Sequence, residues 1–535
     1  MRTLALSVCM LAALFGASAH AQVTTLPPEK NLCAARADPV ALGTALWNGW
    51  GRDLDNSRYQ PEPALRAGDV PKLKLKWAFG YATSGGNPHF GQPTIVDGRV
   101  FVTSSAGRVY SIDARTGCLY WNFDAPVGSR SPVTIAELGE SKRATVPKKL
   151  RQKVKRTLAH LDIIKAPAAV TYGDESGAVV ALDAQKGTLL WRTPVDTHPL
   201  AHIVAAPAFY DDRLFVSVAS TEEAAAQAQN YPCCTFRGSV AALDVQSGKL
   251  LWKSYSVLEE PQPTRRAASG VQEFAPAGAA ISDAPTVDPK REVLYVATGA
   301  STTSIEQSLT DAVAAFNLED GKLRWVKQLS RSGELALSGF VSSPVLRTLA
   351  TGNQVLVAGQ KSGVVYGLDP DHGGEILWQT PLGRPSGLGP PSGGVDWGLA
   401  ADHRNVYAAL TGSLLQPPTE QGSLTALDLK SGAPRWVASA PPCVAAQPAC
   451  PRGQAQAVSV IPGVAFSGSL DGHLRAYSTI EGKILWDYDT AKPYQTVNGI
   501  PAQGGALDFA GATIVNGDLY VNSGNALLVF SVDAQ

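Results

Sequence analysis

The stretch GAVVALDAQKGTLLW, residues 177–191, contains the pattern that decides the fold. Its first half alternates small and branched apolar residues as a strand does, and DAQKG then marks a tight turn before a second strand that ends on a tryptophan. In such a turn the side chain of Asp183 can accept hydrogen bonds from the turn backbone, and Gly187 can adopt the positive φ that other residues avoid. The stretch therefore predicts a β-hairpin.

The same hairpin pattern recurs along the chain, which is typical of a repeat fold. Six further copies, each closing on a tryptophan, begin at Gly107, Gly238, Asp311, Gly363, Gly422 and Gly472. An eighth copy is divided: residues 71–79 hold a closing strand with Trp77, and the C-terminal NGDLYVNSGNALLVFSVD holds only the earlier strands. Joining the two ends removes the open strand edges. We therefore predict an all-β, eight-bladed β-propeller whose last blade is closed by N- and C-terminal strands.

Composition and the N-terminal residues set the domain organisation. The chain has 535 residues, 44% of them hydrophobic, and equal numbers of basic and acidic residues, 46 each, so no net charge indicates a nucleic-acid partner. A basic start, an apolar run and Ala-His-Ala before Gln22 predict a secretory signal peptide, and no stretch is long enough to span a membrane. We divide the chain into a signal peptide (1–21), a polar lead-in (22–70) and the propeller (71–535), expect export to the periplasm, and expect residues up to Lys30 to be dispensable.

A basic insertion interrupts the repeat at about residues 141–160, SKRATVPKKLRQKVKRTLAH. The part after Pro147 predicts a helix. This helix fits either a solvated surface or a docking patch for an acidic protein or a membrane surface. The sequence contains no CxxCH motif, so we expect no c-type haem on this chain.

Six cysteines remain after the signal peptide, an even number that fits an oxidising compartment. The predicted pairs are Cys443 with Cys450, which share one Pro-rich loop, Cys233 with Cys234, which are adjacent, and, by elimination, Cys33 with Cys118. An adjacent pair closes a small, strained ring. Two separate buried thiols are the alternative for that pair.

Several segments resemble the quinoprotein alcohol dehydrogenases, and among them the polyvinyl-alcohol-dehydrogenase-like branch. The likeness runs from about Trp47 to the C-terminus. It depends on the combination of STEE (220–223), YPCCTFRG (231–238) and GGVDWG (393–398), with GQKSG (359–363) in support. The blade repeat alone is less specific, because non-catalytic propellers also contain it.

This resemblance implies pyrroloquinoline quinone (PQQ) in the central channel beside a divalent ion, usually calcium. In such enzymes the ion polarises a quinone carbonyl, and a carboxylate accepts the hydroxyl proton of an alcohol as its hydride leaves. The anionic cofactor needs cationic and N–H partners, and calcium needs hard oxygen ligands. The implied function is periplasmic oxidation of alcohols, including secondary or polymeric ones, with electrons passed to a separate acceptor such as a cytochrome c.

Matching by position assigns the site residues that the resemblance implies. The metal ligands are Glu222 and, second, Glu223, and the proton acceptor is Glu334. The cofactor-binding residues are Arg130, Asp174, Ser220, Thr221, Ile281, Lys361, Asp396 and Trp397. Four of these residues have a plainer alternative: the two glutamates could be an exposed helix start, Lys361 a turn residue and Trp397 a core residue.

The sequence departs from the family pattern at three positions. Ile281 stands where the family places a tryptophan under the quinone, and Ala300 where it places an asparagine ligand. Glu334 is the nearest carboxylate to the position of the catalytic aspartate. The first two departures favour the alternative function, a propeller with a degenerate cofactor site that acts as a non-catalytic binding or scaffold protein.

Overall fold

The structure is a computed structural model that describes residues 26–35, 38–43, 46–83, 89–139, 167–305, 307–329, 339–383, 394–412, 422–442 and 453–534. The predicted signal peptide, the basic insertion, Glu334 and the predicted Cys443–Cys450 pair lie outside these residues. Within them, no helix is long and apolar enough to cross a membrane. The described chain forms eight antiparallel blades arranged as a β-propeller, as predicted.

Blades I to IV follow one another along the chain. From the innermost to the outermost strand they contain Thr94–Val96, Arg99–Thr103, Arg108–Asp113 and Leu119–Asp124 (I); Thr134–Glu137, Ala168–Gly173, Ala178–Asp183 and Leu189–Pro194 (II); Ala201–His202 with Ala208–Tyr210, Arg213–Ser220, Ser239–Asp244 and Leu250–Tyr255 (III); Thr286–Asp288, Val293–Ala297, Ala312–Asn317 and Leu323–Gln328 (IV).

Blades V to VIII complete the ring. They contain Val345–Thr348, Gln354–Gly359, Val364–Asp369 and Glu375–Pro381 (V); Ala400–Ala401, Asn405–Leu410, Ser423–Asp428 and Pro434–Ser439 (VI); Ser459–Ile461, Val464–Gly468, His473–Ser478 and Ile484–Asp489 (VII); Thr513–Val515, Asp518–Ser523, Ala526–Ser531 and Lys74–Gly80 (VIII).

A few short elements lie outside the blades. They are a 3₁₀ helix, Ala67–Lys72, an α-helix, Glu222–Ala225, an exposed hairpin of Gln262–Arg266 with Gln272–Ala275, and two small pairs, Pro493–Tyr494 with Ala502–Gln503 and Ala455–Gln456 with Asp508–Phe509.

The closure of blade VIII confirms the predicted junction of the two chain ends. Lys74–Gly80 pairs antiparallel with Ala526–Ser531, with Lys74 opposite Ser531 and Gly80 opposite Ala526. The outer edge of the last blade is therefore covered by the strand Lys74–Gly80, which precedes blade I in the chain, and this pairing closes the ring.

The closing tryptophan of a blade packs on the turn glycine of the next blade. Gly187 has φ +70°, and a Cβ atom there would lie 2.5 Å from the ring of Trp121, whose Nε1 donates to the Ala184 carbonyl at 3.1 Å. The same packing joins Trp77 to Gly117, Trp191 to Gly248, Trp252 to Gly321, Trp325 to Gly374, Trp378 to Gly432 and Trp436 to Gly482. The turn signature and the closing tryptophan of the repeat therefore form one contact between blades.

Residues 46–60, which we call the channel segment, dock against the innermost strands and line the central channel. Trp47 exchanges backbone hydrogen bonds with Ile95 of blade I at 2.8 and 3.0 Å. Further along, backbone carbonyls of the segment accept hydrogen bonds from innermost strands, and the donors are Val287 of blade IV, Leu346 of blade V, Ala401 of blade VI and Val460 of blade VII. The segment thus satisfies strand edges that would otherwise face the channel.

The residues before the channel segment are also tied to the ring. Cys33 is bonded to Cys118, which confirms that predicted pair. Glu29 forms an ion pair at 3.1 Å with Arg108, and both side chains are only 2% exposed. This contact revises the expectation that residues up to Lys30 are dispensable, because their removal would leave a buried guanidinium with one partner fewer.

Candidate functional site

The predicted site residues that the structure describes all lie on one face of the ring. Because strands within a blade alternate in direction, the loops between second and third strands emerge on the same face as the loops that lead into the next blade. These loops, together with the strand end at Ser220, contain Arg130, Asp174, Ser220, Thr221, Glu222, Glu223, Ile281, Lys361, Asp396 and Trp397. We call this surface the mouth face.

The loop of blade III is built around the adjacent cysteines. Cys233 and Cys234 are bonded to each other, as predicted. Beside them, the backbone of Phe274 pairs with the cysteines, since its N–H donates to Cys233 at 2.8 Å and its carbonyl accepts from Cys234 at 3.2 Å. The disulfide is therefore attached to the exposed hairpin that rises from the mouth face.

Glu222 holds this loop from below. One carboxylate oxygen accepts hydrogen bonds from the Thr235 backbone N–H at 2.8 Å and from the Tyr231 hydroxyl at 2.9 Å, and the other accepts from the Phe236 N–H at 2.9 Å. His198 lies 3.5 Å from the same carboxylate, whose side chain is fully buried. Glu222 is thus neither an exposed helix start nor an open ligand: its partners and burial make it an anchor for the disulfide loop.

The neighbours of Glu222 are differently placed. Ser220 is half-buried, and its hydroxyl accepts from the Glu222 N–H at 3.3 Å. Thr221 and Glu223 are exposed at the start of the four-residue helix. The structure brings these residues to the mouth face, but the described residues around them form no ion-binding cluster.

Asp174 is occupied by contacts within its own blade. One oxygen accepts from the backbone N–H groups of Ser176 and Ala178 at 2.9 and 3.0 Å, and the other accepts from Arg192 at 2.7 Å. The side chain is 1% exposed. The assignment of Asp174 to the cofactor is therefore not supported by its surroundings, because the carboxylate caps a turn of blade II.

The segments GQKSG and GGVDWG pack directly on each other. A Cβ atom at Gly394 would lie 2.0 Å from the Lys361 carbonyl oxygen, so only glycine fits there, and the Val395 N–H donates to Gln360 at 3.1 Å. This approach places Asp396 near Lys361. Burial raises the pKa of the Asp396 carboxyl, while the Thr411 hydroxyl, which donates to it, and the charge of Lys361 act in the opposite direction.

An aromatic cluster occupies the channel below these loops. Trp397 and Phe509 meet edge to face at 4.9 Å between ring centroids, and Trp50 of the channel segment lies 5.3 Å from Phe509. Trp397 and Phe509 are half-buried, whereas Trp50 is buried. The sequence did not indicate Trp50 or Phe509, because both reach the site only through long-range folding.

Ile281 does not join this cluster. It is fully buried, and it packs with Phe215, Val240 and other residues in the core between blades III and IV. The expectation that Ile281 forms an apolar floor under a cofactor is therefore corrected: its side chain contributes to packing between blades.

A second group of charges surrounds Arg130. Its charge interacts with Asp508, Glu175 and His202, and its Nε is buried without a hydrogen-bond partner among the described residues. Asp508 also borders a cavity of about 430 Å³ at the mouth, together with His89, Phe90 and Phe509. His89, Glu175, His202 and Asp508 were not identified from sequence, since they belong to no motif.

The described residues fit a planar, anionic cofactor. Arg130 and Lys361 supply positive charge without forming an ion pair within 4.0 Å in the described part of the chain. Aromatic rings and a cavity of sufficient size lie on the same face. Such a combination suits a flat ring system that bears carboxylates.

The predicted calcium site does not fit these residues. The oxygens of Glu222 are engaged and sealed from solvent, and Ala300 has no ligating side chain. Within the described ranges, no group of three or more His, Cys, Asp or Glu side chains is arranged to hold a metal ion.

Comparison with known proteins provides a family for this architecture. The PQQ model described as glucose/ethanol/alcohol dehydrogenase, β-propeller domain, matches residues 47–378, and the model of outer membrane protein assembly factor BamB matches residues 363–525. A polyvinylalcohol dehydrogenase from Pseudomonas sp. is 39% identical over 96% of this chain and 81% of the relative. A polyvinylalcohol dehydrogenase from Sphingopyxis sp. (strain 113P3) is 36% identical over 95% and 80%, respectively.

Solved structures agree in fold. The quinohemoprotein alcohol dehydrogenase from Comamonas testosteroni gives a TM-score of 0.66 at 18% identity and covers 92% of this chain and 82% of its own. Since the family model matches more than half of the chain and two relatives align with nearly all of it, this chain belongs to the PQQ-dependent alcohol dehydrogenases with a β-propeller domain, a family of oxidoreductases.

Proposed function

We propose that this protein is a periplasmic, PQQ-dependent dehydrogenase of secondary or polymeric alcohols that passes electrons to a separate acceptor, such as a cytochrome c. The observation that carries the proposal is that two cations, a cavity and several aromatic rings occur on the same face of the ring. The two cations are Arg130 and Lys361, and neither has an ion-pair partner among the described residues. The names of the two polyvinylalcohol dehydrogenases support the substrate class.

The bound quinone supplies the hydride acceptor that no amino-acid side chain provides. Arg130 and Lys361 would bind its negatively charged oxygens, and the aromatic cluster of Trp50, Trp397 and Phe509 would contact its flat ring system. Glu334 is the proposed acceptor of the hydroxyl proton as the alcohol becomes a carbonyl compound. Asp396, which accepts a hydrogen bond from the Thr411 hydroxyl, would provide a polar contact to the quinone.

If the protein binds calcium, its ligands must be residues other than Glu222, which is engaged and buried, and Ala300, which has no ligating side chain. We assign no step to it. Glu223 is the remaining glutamate of the predicted metal pair, and it is exposed on the short helix.

Reconstitution tests the function. The purified protein is incubated with PQQ, with and without calcium chloride, and dye reduction is measured with primary alcohols, secondary alcohols and polyvinyl alcohol. We expect PQQ-dependent dye reduction that is faster with secondary or polymeric alcohols. Absence of activity despite bound PQQ, under both ion conditions, would contradict the enzyme function.

The proton acceptor can be tested by Glu334→Gln, which keeps the shape but removes the base. We expect kcat to fall by about 10²- to 10⁴-fold while PQQ binding persists. Glu375→Gln, an exposed change on the outermost strand of blade V, is the matched control and should retain activity. An active Glu334→Gln variant would move the role to another carboxylate at the mouth, such as Asp508.

A second candidate function is a cofactor-free binding or scaffold propeller. The enclosed Glu222 and the match of residues 363–525 to the BamB model favour it. It predicts that the protein binds PQQ neither alone nor with calcium, and a titration of the purified protein with PQQ, with and without calcium chloride, decides this.

A further inference from the structure

Of the two phenylalanines that line the mouth cavity, Phe509 is the more exposed, and two tryptophans contact its ring. Phe509 borders the cavity of about 430 Å³ and is half-buried. Phe90 also borders it, but that ring is 6% exposed and stacks on Tyr81 at 4.1 Å. Phe509 is therefore the better placed of these two rings to present its face to a ligand.

We infer that Phe509 is the aromatic surface on which the planar cofactor stacks, in place of the tryptophan that the sequence lacks at Ile281, and that Trp50 and Trp397 position its ring. This inference rests on the proposed function, because it assumes a quinone in the mouth cavity. The stacking ring would then come from the loop that leads into blade VIII, where Phe509 lies, and not from the loop that leads into blade IV, where Ile281 lies.

The backbone at Phe509 is held in an uncommon conformation. Its φ is +49°, in the left-handed region that residues other than glycine rarely adopt. Asp508–Phe509 pairs in parallel with Ala455–Gln456, and the Phe509 carbonyl accepts a hydrogen bond from the Ala457 N–H at 3.2 Å. Such local strain persists when surrounding contacts impose it, and it is concentrated at functional sites.

The ring itself is supported from two sides. Trp397 contacts it edge to face at 87° between ring planes, and Trp50 lies against it at 35°. Behind Trp50, the Arg58 guanidinium carbon lies 4.7 Å from the centroid of a Trp50 ring, and Arg58 donates to the Trp50 carbonyl at 2.7 Å. The channel segment thus fixes the aromatic cluster from below.

The charges around the ring suit the same ligand. Asp508 precedes Phe509, and its carboxylate interacts with His89 and Arg130, which can also bind carboxylates of an incoming ligand. An aromatic face beside cationic groups is the combination that a flat, anionic quinone requires.

Titration of the purified full-length protein with PQQ in the presence of calcium chloride tests the inference. Binding is followed by quenching of tryptophan fluorescence and by the circular dichroism induced in the PQQ absorption bands. The variants are Phe509→Leu, which keeps an apolar side chain without a π face, and Phe509→Tyr, which keeps the ring. Phe209→Leu is the matched control, since Phe209 is half-buried beside a different cavity lined by the channel segment. Thermal unfolding without PQQ verifies that each variant is folded.

We expect Phe509→Leu to bind PQQ about five- to tenfold more weakly and to lose most of the induced signal. Phe509→Tyr should remain within about twofold of the wild type, and Phe209→Leu should match it. A Phe509→Leu variant with wild-type affinity and induced signal overturns the inference, as does an equal loss in the leucine and tyrosine variants. Absence of binding by the wild type overturns the proposed function itself, and this outcome is distinct because it requires no variant.

Discussion

At the scale of single residues, the mouth face contains carboxyl groups in contrasting environments. The Glu222 carboxylate is buried and accepts hydrogen bonds from the backbone N–H groups of Thr235 and Phe236. Asp396 lies in a half-buried position where loss of hydration raises its pKa. The same chemical group therefore anchors a loop in one place and lies beside Thr411 and the charge of Lys361 in the other.

The anchoring role predicts a stability effect that does not depend on calcium. Glu222→Ala leaves the buried N–H groups of Thr235 and Phe236 without partners, so we expect a loss of about 2 to 4 kcal/mol in the free energy of unfolding. Glu223→Ala, one residue away and exposed, should change it by less than about 0.5 kcal/mol. Denaturant unfolding measures both. A Glu222→Ala variant that is as stable as the wild type without calcium, and weaker only with it, would favour the ligand role.

His202 predicts a specific pH dependence. Burial and the nearby charge of Arg130 lower its pKa to about 4, from 6.5. The folded state thus disfavours the proton, so the stabilising contribution is complete above pH 6.5 and is lost as the pH falls toward 4. We expect wild-type stability to fall by up to about 3 kcal/mol through this group, and His202→Gln to lack that component.

The control for this effect is His372→Gln. A hydrogen bond to Asp369 raises the pKa of His372, so the folded state favours its protonated form. Protonation of His372 therefore does not destabilise the fold as the pH falls from 7 to 4. Parallel stability profiles of the wild type and His202→Gln between pH 7 and 4 would contradict the prediction.

At the scale of elements, the hairpin and its tryptophan form a unit that includes the neighbouring blade. Asp183 accepts from the N–H groups of Gln185 and Lys186 at 2.9 and 2.8 Å, which fixes the turn. Gly187 then meets the ring of Trp121 from the preceding blade. A local turn motif is thereby converted into an inter-blade contact.

Two glycines with similar φ angles allow the cost of backbone strain to be separated from the cost of a steric clash when alanine is introduced. Gly187 has φ +70° and lies against Trp121, whereas Gly98 has φ +73°, and a Cβ atom there would have no heavy atom of the described residues within 4 Å beyond its chain neighbours. We expect Gly98→Ala to cost about 1 kcal/mol from backbone strain alone and Gly187→Ala about 2 to 4 kcal/mol, because the ring must also move. Equal losses in chemical denaturation would show that the tryptophan contact contributes little.

At the scale of the whole molecule, both chain ends and the channel segment hold the ring together. The outermost strand of blade VIII comes from Lys74–Gly80, and residues 46–60 contact blades around the channel. Arg58, 1% exposed, donates to Val458 at 2.6 Å and to Ser459 at 3.0 Å, both in or beside blade VII. The interior of the propeller is therefore completed by a segment that precedes its first blade.

Truncation should reveal this dependence. A protein that begins at residue 61 keeps every blade strand but loses the channel segment, so the innermost strands would present unsatisfied backbone groups. We expect a marked loss of stability and rapid proteolysis compared with a protein that begins at residue 22. A protein that begins at residue 31 should show a smaller loss, because it lacks Glu29 beside Arg108. Equal stability of all three proteins would contradict the structural role of the segment.

Sequence alone determined the repeat, the number of blades, the closure and the adjacent disulfide, because these depend on short-range patterns: turn aspartates, glycines with positive φ and regularly placed tryptophans. By resemblance it also predicted a set of site residues, and those that the structure describes lie on one face of the ring. Only the tertiary structure decided which of those residues are available. Glu222 and Asp174 became buried anchors through the direction of nearby N–H groups and Arg192, and Ile281 entered a core between blades. The cluster of Trp50, Trp397 and Phe509 joins residues from distant parts of the chain. No local sequence pattern specifies these contacts, because the three side chains meet only when the propeller has closed.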